Sequence, residues 1–144
     1  MTDRSKEVFF VIEGDPRGKE RPRTTFKGGT RTYTPQMTVI YENLVKLMYR
    51  EACGAFKFGD DDPIDLRIFA YYSIPKSVSK KKRELMLAGK IRPTKKPDVD
   101  NIEKIVADAL NQFAYKDDSQ IVDTMVRKFY DEKPRVEVMI RVAE

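Results

Sequence analysis

Ile64-Asp65-Leu66-Arg67-Ile68-Phe69-Ala70-Tyr71-Tyr72 alternates apolar Ile64, Leu66, Ile68, Ala70 and Tyr72 with Asp65, Arg67, Phe69 and Tyr71. A two-residue period puts one set on each face of a β-strand, and the second set also carries aromatic rings, so this strand is expected inside a sheet. Working outward, Glu7 to Glu13 reads as a first strand and Gly14 to Thr34 as a long loop without apolar period. Pro35 opens a helix predicted to run to about Ala52, with Val39, Ile40, Leu44, Leu47 and Met48 at helical spacing. Ser77 or Ser79 caps a short basic helix ending at Gly89, and Arg92 to Pro97 is an extended connection. Ile102, Ile105, Val106, Ala109, Leu110 and Phe113 form one apolar face of a helix expected from Asn101 to Ala114. Ile121 to Phe129 and Val136 to Val142 are predicted strands, joined through Asp131, Glu132, Lys133 and Pro134 as a hairpin. The order β, α, β, α, α, β, β predicts an α/β (α+β) fold with helices packed on a mixed sheet, in a single domain covering residues 1–144.

The 144 residues include no histidine and one cysteine, Cys53. These absences exclude Ser-His-Asp and Cys-His catalysis, imidazole metal sites, disulfides within the chain and thiolate clusters. Any metal must be held by oxygen, which suits Mg²⁺ or Mn²⁺. Cys53 itself reads as a small buried side chain. The apolar segment Val8 to Ile12 is too short for a signal peptide or a spanning helix, so a cytoplasmic protein without a membrane partner is expected. Gly14-Asp15-Pro16-Arg17-Gly18-Lys19 has one residue too few between its glycines for a nucleotide phosphate loop, and Glu20 replaces the required Ser or Thr. No nucleotide cofactor is expected.

The net charge of +5 is unevenly spread. Residues 15–31 hold six basic against two acidic side chains, and residues 76–96 hold nine basic against Glu84 alone. The rest of the chain is therefore acidic. Arg17, Lys19, Arg21 and Arg23, with Lys80, Lys81, Lys82, Arg83, Lys95 and Lys96, form a cationic track suited to phosphates. Phe26 is the aromatic expected to be exposed for stacking on bases, with Tyr33 a second candidate.

Beside that track stands Lys96-Pro97-Asp98-Val99-Asp100-Asn101-Ile102-Glu103-Lys104. A turn into a helix at Asp100 would let Asp98 and Asp100 converge on one ion. Asn101, Lys104, Asp108 and Asn111 continue along the polar side of the helix. Asp117 and Asp118 follow it, and a strand running back beside the helix could bring in a third carboxylate. The bland alternatives are an Asp100/Glu103 capping box, a Lys104–Asp108 ion pair and a turn at Asp117-Asp118.

Lys96-Pro97-Asp98-Val99-Asp100-Asn101, Lys104, Asp108-Ala109-Leu110-Asn111 and Asp117-Asp118-Ser119-Gln120-Ile121 together resemble the RusA-type Holliday junction resolvases, a family with many phage and prophage members. Gly14 to Arg23 is similar to the opening loop of the phage-type members. The resemblance implies that Asp98, Asp100 and Asp118 are catalytic metal ligands, that Lys104 is the catalytic lysine, and that Asp108 and Asp117, with Asn101, support them. It also implies an α/β fold, a homodimer, dependence on Mg²⁺ with Mn²⁺ as a substitute, and paired symmetric nicks in four-way DNA junctions during recombination and repair. Two apolar segments could serve the dimer, Pro35 to Ala52 and Val136 to Val142. The competing readings are a flap- or fork-directed metal nuclease and a non-catalytic nucleic-acid-binding module. With no histidine, coordinated water is the expected nucleophile, and like charges among the aspartates are expected to raise their pKa values before metal binds.

Overall fold

The computed structural model describes residues 6–20, 23–25, 31–33 and 36–144, with the backbone alone described at 23–25 and 31–33. The strands are β1 (Glu7–Glu13), β2 (Arg23–Thr25), β3 (Arg31–Tyr33), β4 (Ile64–Ser73), β5 (Ile121–Asp131) and β6 (Arg135–Val142). The helices are α1 (Gln36–Cys53), α2 (Lys80–Leu87) and α3 (Val99–Ala109), and a single 3₁₀ turn, Asp118–Gln120, leads into β5. The main sheet is mixed, in the order β1-β6-β4-β5. This is the expected α+β architecture, with β4 in the interior of the sheet.

Period-two sequence carries the core. Ile64, Leu66, Ile68, Ala70 and Tyr72 of β4, Val8, Phe10 and Ile12 of β1, and Val136, Val138, Ile140 and Val142 of β6 form one buried cluster. The same cluster contains Tyr41, Val45 and Tyr49 of α1 and Ile102, Ile105, Val106 and Ala109 of α3. Each fully buried Ile or Leu here contributes about 1.5–3 kcal/mol through removal from water. Cys53 is partly buried against this core, short of the full burial expected.

Four expectations need correction. β5 and β6 are not a hairpin: β4 lies between them, parallel to β5 and antiparallel to β6. The alternation of a strand fixes which face is buried but not which strand is its neighbour. The segment read as one loop contains a two-stranded ribbon, β2 with β3, paired Thr24 to Thr32. Its signal was β-branched Thr-Thr and Thr-Arg-Thr on either side of Gly28-Gly29.

The third correction concerns α3, which ends at Ala109 rather than Ala114. Leu110 is the C-cap, and Gln112 takes a φ of 69° that no helix can continue. Tyr115 then folds back into the core and donates its hydroxyl to the Ala107 carbonyl at 2.6 Å. Finally, Val136 to Val142 offers no free apolar patch, because Val136, Val138, Ile140 and Val142 are buried in the core and both edges of β6 are paired. Ser79 does cap α2, accepting from the Lys82 amide, and Gly89 ends it at φ 77°. Among the described residues no helix is long and apolar enough to cross a membrane.

Candidate active-site cleft

The first turn of α3 is built on Asp98. Its backbone is extended and its carbonyl accepts the first helical bond from Ile102 at 3.0 Å, which makes it the N-cap, yet its carboxylate makes no capping bond. An N-cap aspartate ordinarily satisfies an amide of the first turn. Here the side chain is left exposed. Asp100 lies inside that first turn, so the Asp100/Glu103 capping box does not form at this helix. The capping box of this region is Asp117 with Gln120, at the turn before β5.

The segment 14–20 is laid across the start of α3. The Lys19 amide donates to the Asn101 carbonyl at 3.0 Å, and the Glu20 amide to Thr38 Oγ1 at 3.4 Å. Gly18 is the point of closest approach, since a Cβ there would lie 2.8 Å from Pro97 Cβ. Between the segment, α1 and α3 opens a cleft of about 700 Å³. Asp98, Asp100 and Asn101 line it together with Arg17, Lys96 and Thr38. Carboxylates and cations thus share one cavity, as a divalent ion and a phosphate would require.

Lys19 also lines the cleft, but its ammonium turns inward, 2.7 Å from Glu42 and 3.3 Å from Asp108. Burial lowers its pKa, and the two carboxylates more than reverse this, so the net shift is upward. Asp108 therefore pairs with Lys19 and not with Lys104, which is exposed on the next turn toward Asp100. Lys80, Lys81 and Lys82 are exposed on α2, while Arg83 is tied to Glu132 at 3.0 Å. Lys95 is exposed over the Tyr130 ring. Arg21, Phe26, and the side chains of Arg23 and Tyr33 lie outside the described residues.

The third expected ligand, Asp118, stands beside Asp108 and is not among the residues that line the cleft with Asp98 and Asp100. Among the described residues no three acidic side chains stand close enough together to hold one ion. The reason is topological. β5 does run back along α3, so that Lys128 near its end reaches Lys95, but Asp118 precedes the strand and stays beside Asp108. Asp100 and Asp108 are eight residues apart on one helix, about 12 Å. Burial raises the Asp118 pKa, and the neighbouring Asp117 and Asp108 charges add to it. Burial likewise raises Glu103, helped by Asp108 and Asp118. Of the three aspartates expected to be raised by like charges, Asp118 is raised, with burial the larger cause and its acidic neighbours the smaller.

A family model described as Endodeoxyribonuclease RusA matches residues 13–141. The chain belongs to the RusA endodeoxyribonuclease family. A RusA-family assignment covering nearly the whole chain takes in both walls of the cleft, the segment 14–20 and the start of α3. The chain is also similar to "Uncharacterized protein YqaN" of Bacillus subtilis (strain 168), 43% identical over 137 residues, which covers 93% of this chain and 95% of that protein.

Sequence reasoning missed Thr38 and Glu42, read Glu103 only as a capping partner of Asp100, and read Gly18 only within a failed phosphate loop and a family-like opening loop. Thr38 and Glu42 had a usable signal, since they interrupt the apolar face of α1 with polar groups that turn out to be buried or half-buried.

Proposed function

We propose that the protein is a divalent-metal-dependent endonuclease that resolves four-way DNA junctions by paired nicks. The observation that carries this reading is the pair of exposed carboxylates, Asp98 and Asp100, in one cleft with Arg17 and Lys96, in a chain of the RusA family. The donor set fits the ion. With no histidine and one distant cysteine the ligands are oxygens, and Mg²⁺ is commonly held by one or two carboxylates together with water and substrate phosphate. When bound, the ion supplies an activated water and neutralises charge on the phosphate. Mn²⁺ has the same preference for oxygen and should substitute.

In this reading Asp98 and Asp100 hold the ion, and Lys104 assists at the scissile phosphate as a compact charge. Arg17 and Lys96 hold the neighbouring phosphates. Asp118 occupies the position of the family's third ligand; its support is the family pattern alone. Asp108 fixes Lys19 and Asp117 caps the turn that carries Asp118, which are supporting roles. Lys80 to Lys82 extend the contact with the DNA arms. A homodimer suits a substrate with two-fold symmetry. The surface available to it is the outer side of α1, where Met37, Ile40 and Leu47 are each about half exposed.

The test uses a labelled synthetic four-way junction. Paired nicks should require Mg²⁺ or Mn²⁺, and Asp98→Asn should abolish them while the junction is still bound. Equal cutting of linear duplex and junction would leave a generic nuclease. Junction binding with no cutting under any divalent ion would leave a binding module.

A further inference from the structure

Two side chains from outside the acidic motif grip its backbone. Tyr72 of β4, only 3% exposed, donates its hydroxyl to the Pro97 carbonyl at 2.7 Å. Lys128 of β5 donates its ammonium to the Lys95 carbonyl at 2.6 Å. The register pairs Tyr72 with Tyr130 and Ala70 with Lys128, so the two donors project from the same face of adjacent strands. The Lys128 ammonium sits 5.1 Å from the centre of the Tyr72 ring, so they form one unit. Their targets flank Lys96, immediately before Asp98.

Both donors also feel the Asp98 charge. Burial raises the Tyr72 phenol and Asp98 raises it further, so it remains a proton donor at any pH the protein meets. Burial lowers the Lys128 pKa, and Asp98 offsets part of that shift. The Lys128 ammonium thus binds a neutral carbonyl while staying near a carboxylate that favours its charge.

Asp98 needs such support from its backbone. Its carboxylate makes no capping bond, so nothing within α3 orients it. The direction from which it enters the cleft is therefore set by the backbone of Lys95 to Pro97. Metal ligands must be held to within a fraction of an ångström, and the groups that hold them typically govern 10- to 100-fold in affinity.

We propose that Tyr72 and Lys128 are positioning residues for the metal-binding end of the cleft, acting through the Lys95–Pro97 backbone to aim Asp98. This rests on the reading of Asp98 as a divalent-ion ligand. Tyr72→Phe removes one bond and no charge. Lys128→Met removes a bond together with a positive charge, and loss of that charge alone would tighten a cation site. Weaker metal binding in Lys128→Met would therefore come from lost positioning.

The experiment measures Mn²⁺ binding to the full chain by electron paramagnetic resonance without DNA, with wild type, Tyr72→Phe, Lys128→Met and Asp98→Asn. Both Tyr72→Phe and Lys128→Met should bind Mn²⁺ roughly 10-fold more weakly, the lower end of that range. Their junction nicking should recover as Mn²⁺ is raised, a shift in metal requirement and not in the maximal rate. If Asp98→Asn weakens Mn²⁺ binding but Tyr72→Phe leaves it unchanged and Lys128→Met tightens it, the positioning role is overturned and the metal reading stands. If Asp98→Asn leaves Mn²⁺ binding as in wild type, the metal reading falls and this inference with it.

Discussion

The Lys19 amide donates to the Asn101 carbonyl at 3.0 Å, joining the segment after β1 to the first turn of α3. This bond is possible because Gly18 has no side chain: a Cβ would lie 2.8 Å from Pro97 Cβ and 3.0 Å from Asn101 Cβ. Its φ is not in the left-handed region, so the requirement is for space alone.

Gly18→Ala should therefore push the segment off α3, at a cost of about 1–3 kcal/mol, the range for overpacking. Urea unfolding checks this. Junction nicking should fall further than the lost stability explains, because Arg17 moves with the segment. A variant with the wild-type unfolding midpoint would show that the contact yields freely.

Lys19 should prove structural where Arg17 proves functional. Its ammonium pairs with Glu42 and Asp108, and all three side chains are at least three-quarters buried. Lys19→Met leaves two largely buried carboxylates without their shared cation and should cost about 1.5–3 kcal/mol, the value of hydrogen bonds to charged groups. Arg17 is exposed, and Arg17→Met should leave the melting temperature nearly unchanged while weakening junction binding. Equal stability losses in the two variants would contradict this division.

The contrast shows what the sequence could reveal. α3 was legible because Ile102, Ile105, Val106 and Ala109 recur on one face, and β4 because its alternation is unbroken. The end of α3 was not, since Phe113 continues the period although Gln112 has already left the helix. Phe113 instead lies half-buried beneath Lys46 and Arg50 of α1. The insertion of β4 between β5 and β6 was invisible because neighbouring β-strands are chosen by long-range packing. Asp98 and Asp100 were legible as a motif. The Gly18 approach was not, because a backbone bond between distant segments leaves no side-chain pattern. Asp118 was legible as part of the motif, and its turn lies beside Asp108 toward the far end of α3, as the length of the helix requires; how far β5 carries it back is a matter of sheet packing that spacing does not encode.

Lys80, Lys81 and Lys82 are exposed on α2 and Arg83 is held by Glu132. If the three lysines meet phosphates, replacing all three with Ala should reduce the slope of log affinity against log salt by about 2–3 for duplex arms. Stability should change by less than about 0.5 kcal/mol, as for most surface sites. An unchanged slope would remove α2 from the DNA interface.

The outer side of α1 exposes Met37, Ile40 and Leu47 at helical spacing, while Tyr41, Val45 and Tyr49 face the core. If the proposed homodimer forms through this face, Ile40→Glu with Leu47→Glu should leave a monomer in light scattering without loss of helical content, since neither side chain belongs to the core. A dimer of unchanged mass would place the interface elsewhere.

Glu103 gives the fold a pH dependence of definite sign. Burial raises its pKa above the usual 4.5, and the Asp108 and Asp118 charges raise it further. The folded protein keeps this proton at pH values where the unfolded chain has released it, so the folded state binds more protons. Stability must then fall as pH rises from the ordinary carboxylate range through the raised folded value, and the penalty is complete above it. Glu103→Gln removes the titration and the like charge. Wild type and variant should melt together near pH 4, and the variant should melt a few degrees higher near pH 7, a shift readable by calorimetry for a domain of this length. A variant that melts below wild type near pH 7 would mean that the Glu103 carboxylate is held by a favourable contact that outweighs its burial and its acidic neighbours.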